Sequence, residues 1–163
     1  MNVLVVDDEE IICESIKADF NRMDCGITFD VITAVSVAEA EVILENEKIV
    51  GEVAIHETDI ITDKGNVTEL TLSQCAVLPE YRKQGIMRML VEEGLKIAKN
   101  MGYGAVFLGG NTVLYSRFGF EPSYKYGIYH KDREKWGDEG FMVYLLRQGA
   151  LDGITGITDY YGG

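Results

Sequence analysis

Between Val67 and Met101 the spacing of apolar residues changes once, from every second residue to every third or fourth. That switch constrains the chain more than any other feature, because it demands a strand, a turn and a helix in that order. In Val67–Leu78, Leu70, Leu72, Ala76 and Leu78 alternate with Glu69, Thr71 and Ser73, which predicts a strand with one apolar and one polar face. Pro79 ends it, having no N–H to give to a ladder. From Gln84 to Met101, Ile86, Leu90, Gly94, Ile97 and Met101 form one stripe, flanked by Met87, Val91, Leu95 and Ala98. The spacing predicts a long amphipathic helix stopped by Gly102, with Glu92 and Lys96 placed for an ion pair on its wet face.

Shorter signals surround this unit. Val3–Val6 and Phe29–Val35 read as strands, with a helix between them that opens on Asp7-Asp8-Glu9-Glu10 and buries Ile12, Ile16 and Phe20. Ser36–Lys48 carries a capping box, Ser36 with Glu39, and reads as a helix, although a hairpin running into the next strand fits the same residues. Ile49–Ile55 is a strand and Asp63–Asn66 a turn. Ala105–Leu108 is a buried strand led in by Tyr103, Val113–Phe118 a short helix, Phe141–Leu146 a strand, and the Gly-rich stretch after Gln148 irregular. No repeat or linker divides the chain, so residues 1–163 read as one α/β domain.

The 163 residues carry a net charge of −12, which repels nucleic acid and anionic membranes and attracts cations. Cys13, Cys25 and Cys75 are scattered and odd in number, so neither a disulfide framework nor a metal site is expected. No apolar run approaches the roughly 20 residues that span a bilayer. The early acidic cluster is the opposite of a basic leader, and a cytoplasmic setting is expected.

The turn between strand and helix is where chemistry is expected. A helix N-terminus presents unpaired N–H groups that suit a phosphate, Gly85 permits close approach, and Arg82 and Lys83 form a basic island in an acidic chain. A solvated surface turn explains the same spacing.

Ala76-Val77-Leu78-Pro79-Glu80-Tyr81-Arg82, followed by Lys83-Gln84-Gly85-Ile86, resembles the cofactor loop of the GNAT N-acetyltransferase superfamily, whose pattern is Gln/Arg-x-x-Gly-x-Gly/Ala. The later Tyr115-Ser116-Arg117-Phe118-Gly119-Phe120 resembles the family too, and the likeness covers roughly residues 49–144. It implies a mixed, largely antiparallel sheet flanked by helices, and acetyl-coenzyme A as co-substrate without a metal. It also implies that the main chain of Cys75, Ala76 and Val77 pairs with the pantetheine arm. The amides of Arg82, Lys83, Gln84, Gly85, Ile86 and Met87 would then hold the pyrophosphate. Asn111 falls where a helix-start side chain touches the cofactor, and Tyr115 where a tyrosine protonates the departing thiolate. Met87 departs from the pattern, and its long side chain is expected to crowd the pyrophosphate.

The implied reaction is direct attack of an amine, on a small molecule or a peptide, on the thioester in a ternary complex. A lysine-like amine costs about 4.6 kcal/mol to deprotonate at pH 7, so a general base is expected. Glu69, projecting from the polar strand face, is the candidate, with His56 and Glu57 as competitors. His130 reads as structural. Val3–Glu10 is a close likeness of the opening of a two-component receiver domain, so residues 1–48 read as a receiver-like β-α-β-α segment, natural or fused. Fewer than fifty residues cannot supply the rest of a receiver, and Asp59 is placed in a strand-end loop. Three functions stay open: an N-acetyltransferase, a catalytically silent acyl-coenzyme A-binding scaffold, and a receiver-type signalling module. A homodimer is also left open.

Overall fold

The computed structural model describes residues 49–159 in full and the main chain of residues 2–6 and 30–34. The helices expected over residues 7–20 and 36–48 lie outside the described residues, as do Cys13 and Cys25. The strands expected to flank the first helix are present as β1 (Asn2–Val6) and β2 (Asp30–Ala34). They pair in parallel, with Asn2 opposite Asp30 and Val6 opposite Ala34.

A separate seven-stranded sheet carries most of the described chain. Its strands are β3 (Gly51–Thr62), β4 (Gly65–Val77), β5 (Ala105–Gly109), β6 (Glu121–Pro122), β7 (Ile128–His130), β8 (Phe141–Leu145) and β9 (Gly156–Thr158), in the order β6-β8-β5-β4-β3-β9-β7. β4 and β5 are parallel, as are β7 and β9, whereas β5–β8, β6–β8 and β3–β9 are antiparallel. The helices are α1 (Ile86–Asn100), α2 (Thr112–Tyr115) and α3 (Arg133–Gly140), the last broken at Gly137, where φ is 63° and ψ 173°.

Alternation along the central strands separates two cores. Val106 and Leu108 of β5 and Met142 of β8 join Leu70, Leu72, Val91, Leu95 and Ala98 in one cluster. Ala105, Phe107, Phe141 and Val143 join Ile60, Ile128 and Leu151 in the other. Neighbouring residues of a strand point to opposite faces, so each face of the sheet is covered by its own apolar layer.

Four expectations are corrected. β3 runs on to Thr62, which puts Asp59 inside a strand, where its carboxylate accepts from Asn66 Nδ2 (3.0 Å) and Thr68 Oγ1 (2.8 Å). The buried face of α1 takes in Ile86, Leu90 and Gly94 of the expected stripe together with Val91, Leu95 and Ala98, but Met101, past the helix end, is 49% exposed. On the wet face Glu92 pairs with Arg88 (3.1 Å), while Lys96 reaches the buried Glu93 (3.3 Å). The Gly-rich stretch after Gln148 is not irregular throughout: it buries Leu151 and supplies β9, which sits between β3 and β7.

Candidate active site

The turn that precedes α1 is built by its own main chain. Leu78 N donates to Val50 O (2.9 Å), and Pro79–Tyr81 form one turn of 3₁₀-helix. Arg82 folds back, its Nε donating to Val77 O at 3.0 Å. Lys83 and Gly85 have positive φ, 64° and 85°, while Arg82 and Gln84 do not. Alternation of φ sign along a run of exposed residues turns successive N–H groups towards one side, which is a concavity for an anion. Lys83 is the only non-glycine residue with positive φ among the described residues, a conformation that costs of order 1–3 kcal/mol and is kept where a site requires it.

Met87, at the second position of α1, is half-buried and packs against the cluster of Leu70, Val91 and Leu95. The side chain expected to crowd the phosphates is therefore committed to the core.

β4 and β5 share register at only two positions among the described residues, Leu70 with Val106 and Thr71 with Phe107. Thr71 Oγ1 adds a hydrogen bond to Phe107 O at 3.3 Å. From Leu72 onward β4 continues without a further registered pair to β5. Leu70, Leu72 and Cys75 all touch one apolar cluster, although strict alternation would send Cys75 to the other face.

Beyond β5, Asn111 caps α2: its Oδ1 accepts from Leu114 N at 3.0 Å. Tyr115, four residues on, is half-buried, its ring 6.2 Å from Phe118 and 5.9 Å from Phe120 between centroids.

Glu69 is not on a wet face. It is 6% exposed, and its Oε2 accepts from Gly104 N (2.8 Å) and Ala105 N (2.9 Å). The carboxylate is thus engaged by two main-chain amides at the start of β5. Its competitors are exposed: His56 and Glu57 line an open cleft of about 400 Å³ with Thr58, Asp59, Asn66 and Asp159. Glu57 accepts from the Tyr103 hydroxyl, and that hydrogen bond, with burial and the negative charges of Glu57 and Glu69, raises the Tyr103 pKa above the ordinary tyrosine value. Spacing alone could not reveal this pair, which is 46 residues apart in sequence. His130 is buried, with its Nδ1 accepting from Asp132 N (2.9 Å) and its ring edge-on to Trp136 and Phe141.

A turn of alternating φ sign thus precedes the long helix α1, and the central strands β4 and β5 run parallel over two registered pairs. A family model described as the acetyltransferase (GNAT) domain matches residues 20–123, and the chain belongs to that family. The match takes in residues 20–48 of the stretch set apart above as receiver-like.

Particular relatives sharpen the placement. The chain is 35% identical over 116 residues to the uncharacterised N-acetyltransferase YhbS of Escherichia coli K12, an alignment covering 70% of this chain and 66% of that one. It spans just under two thirds of that relative's length. The crystal structure of YhbS from Escherichia coli in complex with CoA is similar at a TM-score of 0.62 and 34% identity, over 69% of this chain and 61% of that one. A GNAT family acetyltransferase from Brucella melitensis, in complex with acetyl-CoA, shares the fold at a TM-score of 0.52 and 22% identity, over 71% and 61% of the two chains.

Proposed function

We propose that the protein is an N-acetyltransferase that moves the acetyl group of acetyl-coenzyme A to an amine by direct attack. The observation that carries this reading is the short register of β4 and β5, which ends at Thr71 and Phe107, in a chain of this family. Main-chain groups of Cys75, Ala76 and Val77 pair with the pantetheine arm. The amides of Arg82, Lys83, Gln84, Gly85, Ile86 and Met87 take the pyrophosphate. The CoA in the YhbS crystal structure supports a ligand of this class.

Asn111 spends its Oδ1 on the helix cap, which leaves its Nδ2 for the cofactor. Tyr115 donates its hydroxyl proton to the thiolate as the tetrahedral intermediate collapses and the C–S bond breaks. With Glu69 engaged by amides, we assign deprotonation of the ammonium acceptor to the exposed Glu57, directly or through water. Glu57, Asp59 and Asp159 in the cleft, together with the net charge of −12, favour a cationic acceptor, small or peptidic. Because Met87 packs inward, the silent-scaffold alternative loses the residue that motivated it. Residues 20–48 are read as part of the acetyltransferase domain, since the family match covers them.

Thermal unfolding with acetyl-coenzyme A tests the proposal. Ligand at about 100 times its dissociation constant stabilises a fold by about 2.7 kcal/mol. No shift in melting temperature at millimolar ligand would remove the acetyltransferase reading.

A further inference from the structure

The geometry points to Glu69 as a positioning residue that sets how far β4 and β5 part, an inference that rests on the cofactor lying between them. The first residues of β5 need partners before its ladder begins. Gly104 N and Ala105 N precede the first registered pair, Leu70 with Val106, and both donate to Glu69 Oε2, at 2.8 and 2.9 Å. Buried amides left without an acceptor are costly, and a carboxylate is the strongest acceptor a side chain offers. Gly104 is also held from its other side, its carbonyl accepting from Leu146 N at 2.9 Å.

The clamp matters because so few hydrogen bonds join the two strands. Beyond Gly104 and Ala105 the polar β4–β5 junction consists of two registered pairs and the Thr71 Oγ1 bond to Phe107 O. Everything after Phe107 on β5 lies on the open side of that pivot. There β5 ends at Gly109, and Tyr115 follows six residues on. A change of angle at Glu69 is therefore carried to the wall that holds the proposed acid. The contact is also a tight one. A Cβ on Gly104 would lie 2.7 Å from Glu69 Oε1 and 2.9 Å from the Cβ of Ala150, so only glycine lets the carboxylate reach both amides.

Positioning and general-base roles make opposite predictions for the amide isostere. Glu69→Gln keeps an acceptor oxygen and the side chain's shape but cannot take a proton from the acceptor amine. Glu69→Leu removes the acceptor. In the full chain, acetyl-coenzyme A binding is measured by calorimetry, the pH profile of kcat with an accepted amine by a thiol-release assay, and exchange of the Gly104 and Ala105 amides by NMR. Positioning predicts that Glu69→Leu speeds exchange at both amides and weakens acetyl-coenzyme A binding by about tenfold or more. Glu69→Gln should keep the wild-type pH profile and bind within about threefold of wild type. Should Glu69→Leu not fold, Gly104→Ala, which pushes the carboxylate off its amides, replaces it with the same expected weakening. Unchanged binding in Glu69→Leu or Gly104→Ala overturns the proposal, as does loss of kcat in Glu69→Gln with the acidic limb of the profile displaced. A wild-type protein that binds no acetyl-coenzyme A removes the acetyltransferase reading instead, while amide exchange still reports whether the clamp exists.

Discussion

A Cβ placed on Gly110 would sit 2.7 Å from Cε2 of Tyr115, so the tyrosine ring lies directly on the main chain just after β5. Gly110 is held there by its N–H, which donates to Gly140 O at 2.9 Å. The ring cannot tolerate a methyl group at that position without moving. Gly110→Ala is expected to cost about 1–3 kcal/mol through overpacking and to displace Tyr115. Turnover should fall well beyond what the stability loss explains, measured with the variant still folded at the assay temperature. Unchanged turnover would show that the ring's location has no bearing on the chemistry.

Tyr115→Phe removes the hydroxyl and leaves the stack against Phe118 and Phe120 in place. A positioned acid is worth about 10²-fold or more, and its loss acts in the transition state rather than on bound cofactor. Steady-state kinetics should show that fall in kcat, and calorimetry an unchanged affinity for acetyl-coenzyme A. A variant that keeps more than half of its rate would mean that another group protonates the thiolate.

Met87 is half-buried in the cluster containing Val91 and Leu95. Met87→Ala should therefore destabilise the fold by about 1–2 kcal/mol, below the range for a fully buried methionine. Cofactor affinity should stay the same, since the side chain packs into the core cluster. Urea unfolding and calorimetry check the two halves. Tighter binding in the variant would restore the crowding expected from the sequence.

Glu121 accepts from the Tyr126 hydroxyl (2.6 Å) and from Lys125 Nζ (3.0 Å). The tyrosine's hydrogen bond, then that of the lysine, lowers the Glu121 pKa below the ordinary glutamate value, and the same contact pushes Tyr126 up to about 12. A carboxylate with a depressed folded-state pKa stabilises the fold above its unfolded value, and this contribution is lost as pH falls through the folded value. Tyr126, raised, contributes below its unfolded pKa and loses that contribution as pH climbs towards 12. Tyr126→Phe should move the Glu121 carboxyl titration upward, followed by NMR, and flatten the acid side of the stability curve. A titration that does not move would assign the depression to Lys125 alone.

What was legible in the sequence was local. The period change after Pro79 placed the turn and the long helix to within two residues at its start, because Gly85 and the stripe from Ile86 onward are short-range signals. Asn111 as a helix start came from the family resemblance, since the residues alone put the short helix at Val113–Phe118 and the helix begins at Thr112. Glu69 was misjudged because its alternation with Leu70 correctly puts it on the opposite face, and nothing nearby says that this face is buried too, under the layer of Phe107 and Phe141. Its partners are 35 and 36 residues away. Residues 121–140 escaped in the same way: Ser123 Oγ lies 2.9 Å from Ile128 O and 3.0 Å from Phe141 O, and such polar ties have no period. Met87 shows the converse, a residue out of pattern for the family whose explanation lies in packing.

The position of β9 between β3 and β7 sets an order of assembly. β7 joins the sheet by pairing with β9, Ile128 with Gly156 and His130 with Thr158, and β9 is what connects it to β3. A chain emerging from the ribosome therefore completes β3, β4 and α1 early, while Ile128–His130 must wait until residues 156–158 are available. Closing such a long loop is slow, and until it closes Ile60 and Ile128, both fully buried in the finished fold, lack their cover. Nascent chains arrested before Gly156 should accordingly be captured by hydrophobic-segment chaperones, and should lose that affinity once β9 is released.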